Sequence, residues 1–310
     1  MNNPLVELMA EASRALPYTT KSRGLEAEPL YIKKKAASLR TLVLTKTALP
    51  KLDENGQLVS APHANIAGQS VPCSTAIANG SRVADAGASL IFLPEHFNPQ
   101  IVAKDTVSMK LHPNFPRHFV NVDAAQFAEI PDEQEVPTTA RPIHLGPITL
   151  DGLRQHSVRM KVNHKEQVDR GGEQVANEIL AGIVAGISRT VDAVFLDTVL
   201  ATNPEAFTLG KAGAKGAKID ALRGLVGTAG AGATWRGDGK FAVAGGIPAD
   251  LTAATAATVV GWFERGAVVL GPDLSILAER LNVNGDLTVT AWFSLEAVIP
   301  DPAQFWTVSA

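Results

Sequence analysis

The chain has 310 residues, of which 45% are hydrophobic and 19% charged. That is enough for one large domain or two modest ones around a continuous apolar core, and it excludes a chain disordered throughout. Its 28 Lys and Arg against 31 Asp and Glu leave a formal charge of −3, without the basic excess that a dedicated nucleic-acid reader concentrates on one face. The single cysteine, Cys73, excludes an intramolecular disulfide, and no Cys/His cluster has zinc-site spacing, which fits a reducing compartment.

In chain order, the first residues carry Glu7 and Glu11 and lack the basic start and continuous apolar run of a secretory signal. Leu5, Leu8, Met9 and Leu16 predict a short amphipathic helix over residues 4–16, closed by Pro17. Residues 38–49 are aliphatic and β-branched and predict a strand, followed by a turn at Asp53, Glu54, Asn55 and Gly56. From Val59 to Gly87 neither period is present, and the segment reads as an extended arm or long loop.

Short β-like runs follow at residues 90–93, 106–111, 118–122 and 143–150, separated by Pro94, Pro113, Pro116, Pro131 and Pro142. The clearest strand covers residues 157–163, where Val158, Met160 and Val162 alternate with Arg159 and Lys161, aliphatics on one face and cations on the other. The stretch PDEQEVPTTARP reads as an exposed connection within a long antiparallel excursion.

The strongest signal comes after Gly171 and Gly172. Val175, Ile179, Ile183, Ile187, Val191 and Phe195 recur every four residues, flanked by Ala176, Leu180, Val184 and Val194. This predicts a helix on the order of 40 Å long that needs a partner along its whole stripe. Glu178, Arg189, Asp192 and Asp197 argue against a membrane span, with Asp192 and Asp197 read as solvated or salt-bridged; Asn203 and Pro204 end the helix. Residues 208–246 are dense in Gly and Ala with Lys211, Lys215 and Lys218 between them, and FAVAGGIP reads as a strand entering a turn. Residues 252–265 are expected to be helical, and 267–270 and 287–293 to be strands. Without βαβ alternation the class is α+β.

Little chemistry is legible. The seven histidines have uninformative spacing, no Gly-x-Ser-x-Gly elbow occurs, and nothing marks His63 as a base for Cys73. The segment GTAGAGATWRGDGK, with Gly227, Gly230, Gly232, Gly237 and Gly239, lacks the Lys-Ser/Thr ending of a phosphate loop and the dinucleotide spacing, so it reads as a flexible loop, with an enzyme using it as the opposing reading. No catalytic, cofactor or metal residue is expected. Arg159 and Lys161 form either a solvated face or one that meets an acidic partner chain. With Glu133 and Glu135 of the acidic connection, they are the candidate subunit-interface residues.

Several segments resemble the major capsid protein of tailed bacteriophages, the Hong Kong 97-type fold. ASLIFLPEHFNPQIV resembles that family's lead into its folded core, and FAEIPDEQEVPTT with IHLGPITLDGLRQHSVRMKVNHK is similar to its extended loop and return strand. GGEQVANEILAGIVAGISRTVDAVFLDTV resembles its spine helix, including Arg189, Asp192 and Phe195. AVVLGPDLSILAERLNVNGDLTVTAWFSLEAVIPDPAQFWTV resembles its closing strands, and LGPDLSI is also similar to encapsulin nanocompartment shells.

The resemblance implies an N-terminal arm over 1–87, peripheral-domain strands and extended loop over 88–170, a spine helix over 171–203, a reduced glycine-rich apical domain over 204–266 and closing peripheral strands over 267–310. Residues 1–87 match nothing in the family and are expected to form an uncleaved arm that reaches a neighbouring subunit. The implied function is non-enzymatic self-assembly into hexamers and pentamers of an icosahedral head around double-stranded DNA, without cofactors or membrane. Portal and decoration or scaffolding proteins would be the other partners, in the host cytoplasm during assembly and then in the virion. An encapsulin-like compartment is the alternative shell.

Overall fold

The computed structural model describes residues 4–14, 18–21, 30–33, 37–49, 71–94, 117–125, 127, 129, 135–136, 138–149, 151–281 and 284–308. In chain order they form α1 (Pro4–Arg14), β1 (Tyr18–Lys21), β2 (Leu30–Lys33), β3 (Ala37–Val43), α2 (Cys73–Gly80), α3 (Arg82–Asp85) and β4 (Ser89–Phe92). Then come β5 (His118–Val122), β6 (Ile143–Pro147), β7 (Arg154–Val162), α4 (His164–Arg170), α5 (Gly172–Ala201) and α6 (Leu209–Ala214). The last part holds β8 (Arg223–Val226), β9 (Ala233–Trp235), β10 (Phe241–Val243), β11 (Ile247–Leu251), β12 (Thr258–Gly261), β13 (Ala267–Leu270), β14 (Asp273–Arg280), β15 (Leu287–Val298) and β16 (Phe305–Val308). The architecture is α+β, as expected.

The larger sheet is organised by β15. Trp292 lies opposite both Ser275 of β14 and Ser157 of β7, and Leu295 opposite both Leu270 of β13 and Arg154 of β7. β13 and β14 therefore run in succession along one edge of β15, joined through Gly271, whose N–H donates to the Ser294 carbonyl at 2.8 Å, while β7 takes the other edge. β4 adds in parallel to β13 and β3 antiparallel to β14.

One face of this sheet is covered by α5, whose 30 residues span about 45 Å at a rise of ~1.5 Å each. Val175, Leu180, Ile183, Val184, Ile187, Val191, Phe195 and Val199 are buried in one cluster with Leu274, Ile276, Val289, Ala291 and Phe293 of the sheet. Burial of each such side chain contributes about 1.5 to 3 kcal/mol, so the stripe has its partner inside the chain. The helix is long and apolar enough to cross a membrane by length and composition, but the core accounts for that apolarity. A glycine is required where α4 meets α5: Gly171 has φ +82, a backbone region that other residues rarely adopt. At the other end Asn203 takes φ +52 and Pro204 follows, closing the helix where expected.

Several expectations change. Residues 73–80 and 82–85, expected within an irregular arm, are the helices α2 and α3 and pack against α5. The arm expected over 1–87 is also revised in its described parts. Leu5, Leu8, Met9 and Ala12 of α1 are buried in the main core, and Arg40 of β3 donates to Glu7 at 2.8 Å and Glu11 at 2.9 Å. These segments belong to the subunit's own core, and the turn expected at residues 53–56 and the strand at 106–111 lie outside the described residues.

A smaller sheet has the order β16-β12-β8-β11-β10-β9, antiparallel except for the parallel pair β8/β11. Residues 252–265, expected to be helical, instead give β12 and a single 3-10 turn, Phe263–Arg265. Thr258, Val259 and Val260 are β-branched, and pairing with β8 and β16 on both sides satisfies a strand. Since β16 joins this sheet, the end of the chain leaves the larger sheet in which the closing strands were expected. Phe195 of α5 ties the two sheets together, with its ring 5.5 Å from Phe263 and 5.9 Å from Phe305.

Candidate assembly surface

β5 and β6 form a two-stranded antiparallel hairpin with Val120 opposite Leu145 and Val122 opposite Ile143. Residues directly opposite share a face, so these four aliphatics make one surface and Phe119, Asn121, His144 and Gly146 make the other. The second surface meets the body of the subunit. Phe119 packs beside Leu93, Ile148, Val269 and Val298, Asn121 Nδ2 donates to the Arg265 carbonyl at 2.7 Å, and a Cβ at Gly146 would lie 2.3 Å from Val298 Cγ1. The aliphatic surface points away from the body, its four side chains between 36% and 65% exposed. An isolated hairpin is marginal in water, so this one relies on its docked face and, among the described residues, leaves an apolar face without a partner.

A second open surface lies beside β7, which among the described residues pairs with β15 alone. Between β7 and α5 runs a groove of about 310 Å³ lined by Val158, Met160, Gly182, Ile183, Gly186 and Phe293, among others. A Cβ at Gly182 or Gly186 would meet nothing within 4 Å. Exposed helix-interior glycines each cost about 1 kcal/mol relative to alanine, and no contact among the described residues requires them.

The expected interface residues fall on and near these surfaces. Arg159 and Lys161 project from β7 and are exposed, and each has a partner in its own chain: Glu279 at 3.5 Å and Asp286 at 3.2 Å. The cations are the exposed members of these pairs, whereas the Glu279 carboxylate is buried and that of Asp286 is largely so. Glu135 is exposed in the connection between β5 and β6, whereas Glu133 lies outside the described residues. The structure brings the two cations together on one strand and does not place Glu135 against them.

Solved structures similar to this chain include capsids and a virus-like particle. No family model and no curated relative matches the chain. The capsid of an empty GTA particle is 12% identical, covers 74% of this chain and 90% of its own, and has a TM-score of 0.43. The satellite phage P4 procapsid is 10% identical over 76% of this chain and 97% of its own, TM-score 0.43. A virus-like particle from Pyrococcus furiosus is 11% identical over 76% and 96%, TM-score 0.41.

The remaining candidate groups have structural explanations. Gly239 at φ +82 turns the β9–β10 hairpin, Gly230 and Gly232 at φ +60 and +69 form the turn before it, and a Cβ at Gly227 would lie 1.6 Å from the Thr255 carbonyl oxygen. The glycine-rich segment is thus shaped by backbone turns and one backbone-to-backbone contact. Cys73 is buried, and burial pushes its thiol up to about 12, far from a reactive thiolate. Asp192, expected on a solvated face, is buried and accepts hydrogen bonds from Ser81, Arg82 and Val83, whereas Asp197 is exposed.

The outward direction of the hairpin aliphatics is the feature of this candidate surface that sequence reasoning missed. Alternation in His118–Val122 separates two faces without saying which one docks. The only signal was Gly146, whose missing Cβ marks the side of close approach.

Proposed function

We propose that this chain is a shell subunit of the Hong Kong 97 type, which self-assembles into hexamers and pentamers of an icosahedral phage head enclosing double-stranded DNA. The observation that carries the reading is the hairpin: four aliphatics opposite one another on a two-stranded element, exposed on the face turned away from the core cluster against which its other face packs. Such a face is a liability in a monomer and a contact in a lattice, where repeated heterologous interfaces close into rings. In this reading α5 is the spine, β5–β6 is the root of the extended loop, the larger sheet is the peripheral domain, and the smaller sheet is a reduced apical domain.

The four interface residues fit the same scheme: Glu133 and Glu135 of one subunit's loop meet Arg159 and Lys161 on the β7 edge of a neighbour, where opposite charges set register more than affinity. Portal, decoration or scaffolding proteins complete the particle, which is built in the host cytoplasm and ends as the virion. No catalytic step is part of this function.

Mass photometry of the purified full chain, alone and as the Val120→Lys/Leu145→Lys double variant, tests the reading. Multi-copy particles for the first and subunit-sized species for the second are expected. Species near the monomer mass for the unmodified chain under every assembly condition, or unchanged assembly of the folded double variant, would overturn it. Nucleic-acid content of particles recovered after nuclease treatment separates a DNA-filled head from an encapsulin-like compartment.

A further inference from the structure

Asp123, His144 and Asp301 come from three separate segments: the residue after β5, the second residue of β6 and the turn before β16. One ligand atom of each lies within 4.8 Å of the others, with His144 Nε2 2.9 Å from Asp123 Oδ2 and 3.9 Å from Asp301 Oδ2. Atoms bound to one divalent transition cation at about 2.0 to 2.2 Å sit roughly 3 to 4 Å apart, so the present spacing needs little movement.

Two features beyond the trio point the same way. Gln304 is only 4% exposed and its Nε2 donates to Asp301 Oδ2 at 2.8 Å, yet the oxygen of that same amide has no hydrogen-bond partner. A buried amide oxygen without a partner costs about 1 to 3 kcal/mol, and this one belongs to the amide whose nitrogen is bonded to the Asp301 carboxylate. Asp123 and Asp301 are also held from behind: the Arg265 guanidinium donates to Asp123 Oδ1, and the Ala303 N–H donates to Asp301 Oδ1 at 3.1 Å. Oδ2 of Asp123 is left to His144, and Oδ2 of Asp301 is shared between the Gln304 amide at 2.8 Å and His144 at 3.9 Å, with the outer bonds orienting both carboxylates as such bonds orient metal ligands.

We propose that Asp123, His144 and Asp301 bind one divalent transition cation, of the Zn²⁺ or Mn²⁺ class that mixed imidazole and carboxylate donors select. The expectation of no metal site came from sequence spacing, and ligands from three distant segments leave no spacing to read. Because Asp123 and His144 belong to the hairpin and Asp301 to the body, the cation pins the hairpin root to the subunit. The site is independent of whether the chain forms shells.

The test is calorimetric titration of ZnCl₂ and MnCl₂ into tag-free full chain stripped with a chelator, beside Asp123→Asn and His144→Gln. One equivalent bound, with an affinity loss of about tenfold or more in both variants, is expected. No binding by the unmodified chain up to about 1 mM cation, or equal affinity in folded His144→Gln, overturns the proposal. Should a variant fail to fold, Co²⁺ titration of the unmodified chain decides: a d–d spectrum shifted and intensified relative to the aqua ion and saturating at one equivalent supports a mixed nitrogen and oxygen site, and a spectrum identical to that of the aqua ion refutes it.

Discussion

The Asp192 carboxylate accepts the Ser81 hydroxyl at 2.6 Å, joining the middle of the long helix to the start of a four-residue helix 111 positions earlier in the chain. The same carboxylate accepts the N–H groups of Arg82 at 3.1 Å and Val83 at 3.0 Å, while Ser81 Oγ accepts from Ala84 N at 3.1 Å. The first-turn amides of α3, which have no intrahelical acceptor, are thus satisfied by a serine cap and by an aspartate from another helix. Ser188, one turn earlier on α5, donates to the Ile77 carbonyl at 3.1 Å, so the polar residues of α5 fix α2 and α3 while its apolar stripe fixes the sheet.

Removing this acceptor is expected to be costly. Asp192→Ala strands the Ser81 hydroxyl and two amides and should lower unfolding free energy by about 3 kcal/mol or more. Asp192→Asn keeps one acceptor oxygen but sets an NH₂ against an amide donor, at about 1 to 2 kcal/mol. Burial, opposed by the three hydrogen bonds, holds this carboxyl above the ordinary carboxylate range. Its proton is therefore held more tightly in the native chain than in the unfolded one. Between the ordinary value and the folded value, native stability falls as pH rises, and above that window the penalty is constant. Urea midpoints across the window should decline less steeply in Asp192→Asn than in the unmodified chain.

Phe195 should be the most sensitive apolar position on α5. It is fully buried, and its ring forms a triangle with Phe263 and Phe305, which also touch each other at 5.6 Å, so truncation opens a void where the larger core meets the smaller sheet. Phe195→Ala is expected to cost about 3 to 5 kcal/mol in chemical denaturation. A loss near that of an exposed substitution would show that the two sheets do not depend on each other.

Gly227 and Gly237 should behave in opposite ways although both sit in the glycine-rich segment. A methyl at Gly227 would collide with backbone, the Thr255 carbonyl oxygen at 1.6 Å and Ala256 Cα at 2.5 Å, neither of which can rotate away. Gly227→Ala should therefore lose about 3 kcal/mol or more, at the upper end of overpacking costs. Gly237 has nothing within 4 Å of an added Cβ, and Gly237→Ala should stay within about 0.5 kcal/mol. Equal effects at both positions, read by thermal melting, would contradict this account.

Where periodicity and structure agree, the reason is local. The α5 stripe repeats every four residues and needs no distant partner to be recognised, and the alternation of Val158, Met160 and Val162 marks β7 in the same way. Where they disagree, distant contacts decide. The run SRVADAG shows only a capping serine, and the acceptor that completes α3 lies on another helix. Thr258 to Gly261 become a strand because β8 and β16 flank them. The Asp123, His144 and Asp301 group was invisible for the same reason, its members meeting only when the hairpin folds back on the turn before β16.

The glycines on the open side of α5 separate subunit stability from assembly. Gly182 and Gly186 lie one turn apart in the groove beside β7, where an added Cβ meets only open space in the subunit. For the isolated chain, Gly182→Ala/Gly186→Ala should raise stability by about 1 to 2 kcal/mol, from better helix propensity alone. In the shell reading, the same double variant should melt higher as unassembled subunit yet give fewer or no particles under conditions where the unmodified chain assembles. Thermal melting of the subunit fraction and mass photometry of the assembled fraction measure the two effects separately. A variant that melts higher and assembles normally would leave the β7 groove outside the lattice contacts.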